Sequence, residues 1–448
     1  MKIIIAGAGD VGFHLAKLLS YESQDIYIID PNKEKLTYLD SHLDVITTQG
    51  DATSIQVLKD AGIDKADLLI AVTHSQNTNF TITAIGKKLG VKKTIARINN
   101  PEFIENPHID FKDLGLDAVI SPEELAANEI HMLLNRSSFN DSITFDNGLL
   151  NMVGGTLGPK SPLLDKSVQE VRSVFKDIDF VTIALKPENE TQTIIPRGDT
   201  IYNLNDEVYF SCPKESLNQL NKLTGHEEID VKNIMILGGS KIGEKSARKL
   251  CEKKYRVKLI EQDRDKAFKL ADRLSKTLVI NGDCRDLELL EEENIREMDA
   301  FIAVTGNSET NIMSCLVAKS KGVKKTIALV ENMNYINISQ TIGIDTLINK
   351  KLLAASEIFK HVRQGDVLAL ANLKHVDAEV LEFEVHQSSK VTNKLVKEIK
   401  LARNAVLGGV IRNEKAIMPH GDLQISDGDR VVVFSLPEAI PDVEKLFK

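Results

Sequence analysis

Short runs of β-branched apolar residues recur along the chain: "KIIIAG" from Lys2, "DIYIID" ending at Asp30, then "DVITTQG", "DLLIAVT" and "TIARI". Between them lie stretches with apolar positions at helical spacing, such as "SIQVLKDAGI" and "NTNFTITAIGKKLG". Strand-like runs alternating with amphipathic helical stretches predict a doubly wound parallel sheet, an α/β fold. The pattern is written twice. "GDATSIQVLKDAGI" at Gly50 returns as "GDCRDLELLEEENI" at Gly282, and "DLLIAVTHSQNTN" at Asp67 returns as "DAFIAVTGNSETN" at Asp299. "GVKKTIA" stands verbatim at Gly90 and again at Gly322, 232 residues later. The opening run recurs as "NIMILGGSKIGEKSARKL" from Asn233, and "IYIID" recurs as "VKLIE" ending at Glu261.

A second, weaker pattern follows each of these stretches. "TIIPRGDTIYNLNDEVYFSC" near Thr193 resembles "AIMPHGDLQISDGDRVVVFSL" near Ala416. A Pro-x-Gly-Asp turn before alternating apolar residues predicts a small β-rich α+β module. The chain therefore reads A-B-A′-B′, with Rossmann-like domains expected over 1–139 and 230–364 and small domains over 140–229 and 365–448. The boundaries are set near Asn140, Asp230 and Gly365, where the helical pattern yields to polar turn residues. Length agrees, since 448 residues exceed the roughly 250–300 at which a single core stops growing.

Composition narrows the function. A formal charge of -9, no Trp and only 5% aromatic residues argue against a nucleic-acid surface. The short pairs Lys87-Lys88, Lys92-Lys93 and Lys324-Lys325 read as solvated helix ends. No window approaches the apolar length of a membrane helix, and the first residues run straight into a strand and glycine loop, so a cytoplasmic protein is expected. Cys212, Cys251, Cys284 and Cys315 show no C-x-x-C spacing and read as reduced core fillers; no His cluster suggests a metal.

The chemistry concentrates in "GAGDVG", residues Gly7, Ala8, Gly9, Asp10, Val11 and Gly12. It fits G-x-G-x-x-G between a strand and a helix. Gly7 permits the tight turn, Gly9 lets amides approach phosphates, and Gly12 allows close helix packing. Asp30 at the end of the second strand suits a ribose diol and would repel a 2′-phosphate, which favours NAD(H) or ATP/ADP over NADP. The competing reading is a glycine turn that only seats a helix on a strand, and it leaves Asp30 unexplained. Asp51, Ala52 and Thr53, then Thr73, His74 and Asn77, then Arg97 follow the later strands and are expected to complete the crevice. Arg97 suits phosphate through two parallel hydrogen bonds, or a surface ion pair; Asp51 and Thr53 also suit a helix cap.

The second copy departs at informative places. Gly9 becomes Ser240 within Gly238, Gly239, Ser240, Lys241, Ile242 and Gly243; Asp30 becomes Glu261, Thr53 Arg285, Asn77 Glu309 and Arg97 Leu329. A weaker nucleotide site, or one for a different nucleotide, is expected there.

A dehydrogenase would need a proton-transfer residue and a substrate pocket facing the nicotinamide. The small modules offer stray histidines, His386 and His420, and no acid-base constellation, so a non-enzyme is expected, with an NAD-dependent oxidoreductase as the alternative. "MKIIIAGAGDVG", Asp30, "GDAT" at Gly50, "AVT" at Ala71 and the A-B-A′-B′ plan resemble the TrkA family of potassium-uptake regulators, built from two tandem RCK units. The resemblance covers essentially the whole chain. It implies regulatory binding of NAD(H) or ATP/ADP, through Gly7 to Gly12, Asp30, Thr73, His74 and Arg97 in the first half and Gly238 to Gly243 with Glu261 in the second. It also implies self-association into a ring, as a homotetramer, beneath a pore-forming membrane subunit. Apolar faces on the helices after Thr73 and Thr305 would suit domain pairing.

Overall fold

The computed structural model describes residues 1–20, 24–100, 103, 109–135, 139, 141–188, 190, 192–225, 231–283, 285–332, 335, 343–362, 367–372 and 378–447. Asn140, Asp230, Gly365 and Cys284 lie outside these residues. The chain forms two compact units, one from Met1–Met132 with Val231–Val362 and one from Leu133–Asp230 with Arg363–Lys448. Each unit thus joins a segment of one half to its repeat in the other.

The first unit holds two Rossmann-like sheets. In the first domain the elements are β1 (Lys2–Ala6), α1 (Asp10–Ser20), β2 (Asp25–Asp30), α2 (Lys33–His42), β3 (Ile46–Gln49) and α3 (Ile55–Asp60). They continue as β4 (Leu68–Ala71), α4 (Gln76–Lys88), β5 (Lys93–Arg97), β6 (Ala118–Ile120) and α5 (Pro122–Asn135). The strands run in the order β3-β2-β1-β4-β5-β6, all parallel. Central strands covered on both faces must be apolar throughout, and Ile3, Ile4, Ile5 and Leu68 to Ala71 are fully buried.

After the first small domain, with β7 (Asp141–Phe145), β8 (Leu150–Thr156), α6 (Val168–Val174), β9 (Val181–Lys186), β10 (Glu207–Pro213) and α7 (Leu217–Leu223), the α/β plan returns. Its second copy comprises β11 (Asn233–Leu237), α8 (Lys241–Glu252), β12 (Arg256–Glu261), α9 (Arg264–Arg273), β13 (Thr277–Asn281) and α10 (Leu287–Glu292). Then come β14 (Ala300–Ala303), α11 (Ser308–Ser320), β15 (Lys325–Leu329), β16 (Thr346–Ile348) and α12 (Lys350–Val362), and the strand order β13-β12-β11-β14-β15-β16 repeats the first.

The two Rossmann domains meet mainly through α1 against α12. Lys245 Nζ of α8 also reaches Glu124 Oε2 of α5 at 2.5 Å, and Lys249 pairs with the same carboxylate. Within the single chain, this seam is made mainly by α1 and α12 rather than by the helices after Thr73 and Thr305. The large apolar residues of α4 are turned inward, with Phe80 packed on Phe103, and only Met313 of α11 is strongly exposed. Lys325 also departs from expectation, being 6% exposed rather than solvated. Its first-domain counterpart Lys93 is half-buried and donates to the His361 carbonyl at 2.9 Å.

The second unit consists of antiparallel sheets. The first small domain has the order β7-β8-β10-β9; the second, with β17 (Val367–Asn372), β18 (Glu379–Glu384), β19 (Ala405–Arg412), β20 (Lys415–Ile417), β21 (Arg430–Ser435) and a terminal helix, α13 (Ile440–Phe447), has β17-β18-β21-β19-β20. One apolar core takes Leu150, Met152 and Tyr209 from the first and Val380, Val432 and Phe434 from the second. Arg430 ties them by pairing with Asp146 and lying 3.7 Å from Glu382. Cys212 and Cys315 are buried, whereas Cys251 is partly exposed and donates to the Lys276 carbonyl. No helix among the described residues is long and apolar enough to cross a membrane, and none of their His, Cys, Asp and Glu side chains form a metal-binding group.

Candidate functional site

Between β1 and α1 the chain turns at Gly7, whose φ of +114° is left-handed; a Cβ there would come within 3.0 Å of the Thr73 amide. A Cβ on Gly12 would strike the Gly7 carbonyl at 2.0 Å, so α1 rests directly on the loop. Gly9 is different, because a Cβ there would meet nothing within 4 Å. Packing within the protein does not demand glycine at Gly9; access to the loop amides from the cavity would.

Asp30, 8% exposed, clamps this loop. Its Oδ2 accepts from the Ala8 amide at 2.7 Å and its Oδ1 from the Asn32 amide at 2.8 Å. Each ionised oxygen has capacity for a further donor such as a ribose hydroxyl. Asp30 therefore shapes the loop as well as facing the cavity.

A cavity of about 600 Å³ opens at the carboxyl ends of β1 and β4, where the strand order reverses. Such switch points are where open α/β sheets take ligands, and the volume falls in the roughly 300–1,000 Å³ range of small-molecule sites. Of the residues expected from sequence, Gly7, Gly9, Asp10, Val11, Asp30, Asp51, Ala52, Thr73, His74 and Arg97 line it. Ala8, Gly12, Thr53 and Asn77 do not. Ala8 gives its amide to Asp30, and Gly12 lies behind the loop. Thr53 donates from its amide and hydroxyl to Asp51 Oδ1 at 2.9 and 2.8 Å, which holds that carboxyl below its ordinary range. Asn77 is exposed on the first turn of α4, and Thr78 takes the lining position. Arg97 is half-buried, its guanidinium 4.0 Å from Glu123.

Two features escape a reading of motifs. Asn79, fully buried, accepts from the Thr73 amide and hydroxyl at 2.9 and 2.6 Å and donates to the carbonyls of Thr73 and Arg97 at 3.2 and 2.8 Å. It bolts the ends of β4 and β5 to α4. Asn311 makes the same four bonds, with Thr305 and Leu329. The signal was present: both repeats, "THSQNTN" and "TGNSETN", end on this asparagine. Glu331, Lys350 and Lys351 of the second domain also line the first cavity, and nothing local in sequence announces them.

The second cavity, about 400 Å³, is lined by Gly238, Ser240, Glu261 and Thr305 with the cations Lys266 and Arg285. Ser240 caps α8, accepting from the Gly243 amide at 3.2 Å and donating to the Val304 carbonyl at 2.7 Å. Glu261 repeats the clamp, taking the amides of Gly239 and Asp263 at 2.9 Å each, and adds Lys266 at 2.7 Å. Burial pushes its carboxyl up, but Lys266 and the amides prevail and hold it below its ordinary range. Gly239, Lys241, Ile242 and Gly243 are not in the lining: Gly239 packs on Leu270, Lys241 is exposed, and Ile242 and Gly243 are buried in the first turn of α8. Arg285 is turned onto Asp283 at 2.7 Å, Glu309 lies beside an adjoining cavity, and Leu329 is 3% exposed. Among the described residues, this lining takes nothing from the first domain.

The TrkA-N domain family matches residues 3–122 and 234–350, and the TrkA-C domain family matches residues 380–448. The Trk system potassium uptake protein TrkA of Halomonas elongata is 33% identical over 100% of this chain and 99% of its own length. The protein of the same name from Vibrio alginolyticus is 34% identical over 100% and 99%. Among solved structures, the GsuK RCK domain has a TM-score of 0.61 at 16% identity, covering 100% of this chain and 94% of that one. The GsuK channel bound to NAD also reaches 0.61, at 15% identity over 100% and 78%; GsuK bound to ADP reaches 0.51, at 13% over 81% and 69%. At such identities the structural likeness is one of fold. The duplicated TrkA-N match, the TrkA-C match and the full-length relatives agree, and the chain belongs to the TrkA family of Trk potassium-uptake proteins.

Proposed function

We propose that the chain is a non-catalytic, nucleotide-sensing regulatory subunit of a potassium-uptake system. In this reading NAD(H) or ATP/ADP binds the first Rossmann cavity, and the change is passed to a membrane-embedded Trk-type channel subunit. The observation that carries it is the cavity at the β1/β4 switch point, where an open glycine loop and Asp30 face Arg97, Lys350 and Lys351. Cations in the lining and a carboxylate beside the loop suit phosphates and a ribose diol. The family membership supports the potassium-uptake setting, and the nucleotides carried by the GsuK structures support the ligand class. Carboxylates clamped by amides and cations do not make a proton-transfer pair facing a substrate, which favours regulation over oxidoreductase chemistry.

The second cavity, with Ser240 and Leu329, is proposed to bind nucleotide more weakly. The protein would sit in the cytoplasm, peripheral to the membrane, as a homotetrameric ring, because a ligand that favours one ring shape shifts the population the channel reads. The test is potassium flux into proteoliposomes that hold the membrane subunit, with this chain and ATP, ADP, NAD or NADH added. Nucleotide-dependent flux that disappears with Arg97→Leu is expected. Flux indifferent to every nucleotide, with binding intact, would contradict the proposal.

A further inference from the structure

The first cavity is finished by the second domain. β16 leads into α12, and the first turn of α12 brings Lys350 and Lys351 to the lining. Lys351 Nζ lies 2.5 Å from Asp10 Oδ2, on the first residue of α1, and 3.5 Å from Glu331 Oε2; Lys350 Nζ lies 2.6 Å from Glu331 Oε1. The two lysine side chains are only 22–23% exposed, whereas Asp10 is 65% exposed. Burial works against the charge on Lys351, but Asp10 and Glu331 outweigh it, so the lysine stays protonated.

The repeat shows that this seat is not generic. β6 and β16 end on Ile120 and Ile348, so Lys350 and Lys351 stand where the first half has Pro122 and Glu123. With Gly9 against Ser240 and Arg97 against Leu329, the departures between copies give the first cavity open amides and cations from both domains. The second cavity's cations, Lys266 and Arg285, come from its own domain and pair with Glu261 and Asp283.

We propose that Lys351, supported by Lys350, is a phosphate-sensing latch delivered across the domain seam. Without ligand it is held by Asp10; the phosphate end of a nucleotide in the first cavity takes it over, while Glu331 keeps both lysines in place. An ion pair with so exposed a partner contributes little, and a polyphosphate offers more charge and more acceptors. The exchange removes the link between α1 and α12, which pack on each other. Charge on a ligand in one domain thereby alters its packing against the other. The latch rests on the nucleotide reading above and gives it a specificity: polyphosphate is distinguished from monophosphate by a residue of the second domain.

The test is calorimetric titration of ATP, ADP and AMP into the full chain as wild type, Lys351→Gln and Asp10→Asn. Lys351→Gln is expected to weaken ATP about tenfold and AMP less than about threefold, because only the longer phosphate reaches the ammonium and makes that charge-assisted hydrogen bond. Asp10→Asn is expected to tighten ATP by roughly threefold, because the competitor for Lys351 is gone. Opposite signs are the signature. If the pair only holds the domains together, both variants will move ATP affinity in the same direction or leave it unchanged, and the latch fails. If Lys351→Gln does not fold, the exposed Asp10→Asn decides alone, by tightening or not. Wild type that binds none of the three nucleotides would overturn the nucleotide reading itself, a different result from binding that ignores both substitutions.

Discussion

At the residue scale the carboxylates at the ends of β2 and β12 carry two duties that sequence merges. Asp30 was legible as a ribose acceptor from its distance to the glycine loop; that its oxygens also take the Ala8 and Asn32 amides was not, because backbone partners leave no mark in side-chain motifs. Asp30→Ala should therefore abolish nucleotide binding and also cost roughly 2 kcal/mol of stability through two amides left without their carboxylate. Glu261→Ala should cost stability similarly while sparing the first cavity. Denaturant unfolding beside ligand titration separates the two effects. Lys325 shows the opposite failure of reading, since a charge that sequence assigns to solvent is buried, and burial pulls its pKa down to about 8 even though Asp345 opposes the shift. Below about pH 8 the folded chain carries that buried charge at full penalty; between about 8 and 10.5 the folded state has released its proton and the unfolded state has not. Stability should rise with pH across that window. Lys325→Met should accordingly stabilise the protein at pH 7, by at most about 3 kcal/mol, and the gain should shrink towards pH 10. An advantage that is constant with pH would show that Lys325 is not titrating as described.

At the element scale, the strand–loop–helix units were legible because apolar periodicity and glycine placement are local properties. The use made of each helix start was not. Ser240 spends its hydroxyl on the Gly243 amide, whereas Gly9 has no side chain to cap α1. Since a Cβ at Gly9 has open space, Gly9→Ser should fold with stability near wild type yet weaken nucleotide binding about tenfold or more, by filling the approach to the loop amides. Ser240→Ala should instead lower stability by about 1 kcal/mol. Thermal unfolding with and without ATP distinguishes the two; a Gly9→Ser protein that binds as wild type would show that the loop is only a turn. The paired asparagines Asn79 and Asn311 are the lesson at this scale: their identity in both repeats was visible, but only the structure shows that each fastens two strands to a helix.

At the scale of the whole molecule, the duplication was legible and the partnership was not. The order A-B-A′-B′ reads as two halves in sequence, yet each compact unit joins a segment to its repeat, and in the second unit the two share an apolar core. Pairings between residues more than 300 positions apart, such as Asp10 with Lys351, follow from that arrangement and from nothing local. The consequence is a pair of unlike cavities, one supplied with cations from both Rossmann domains and one lined by Ser240, with Leu329 buried at the position that corresponds to Arg97. The most direct test is the number of nucleotide sites and their address, measured by titrating ATP, ADP, NAD, NADH and NADP calorimetrically into wild type, Gly9→Ser and Arg97→Leu. One strong site per chain is expected for an adenine nucleotide with a free ribose diol, with NADP excluded and the site weakened about tenfold or more in both variants. Binding that keeps its wild-type strength in both variants, or no binding at all, would contradict the account.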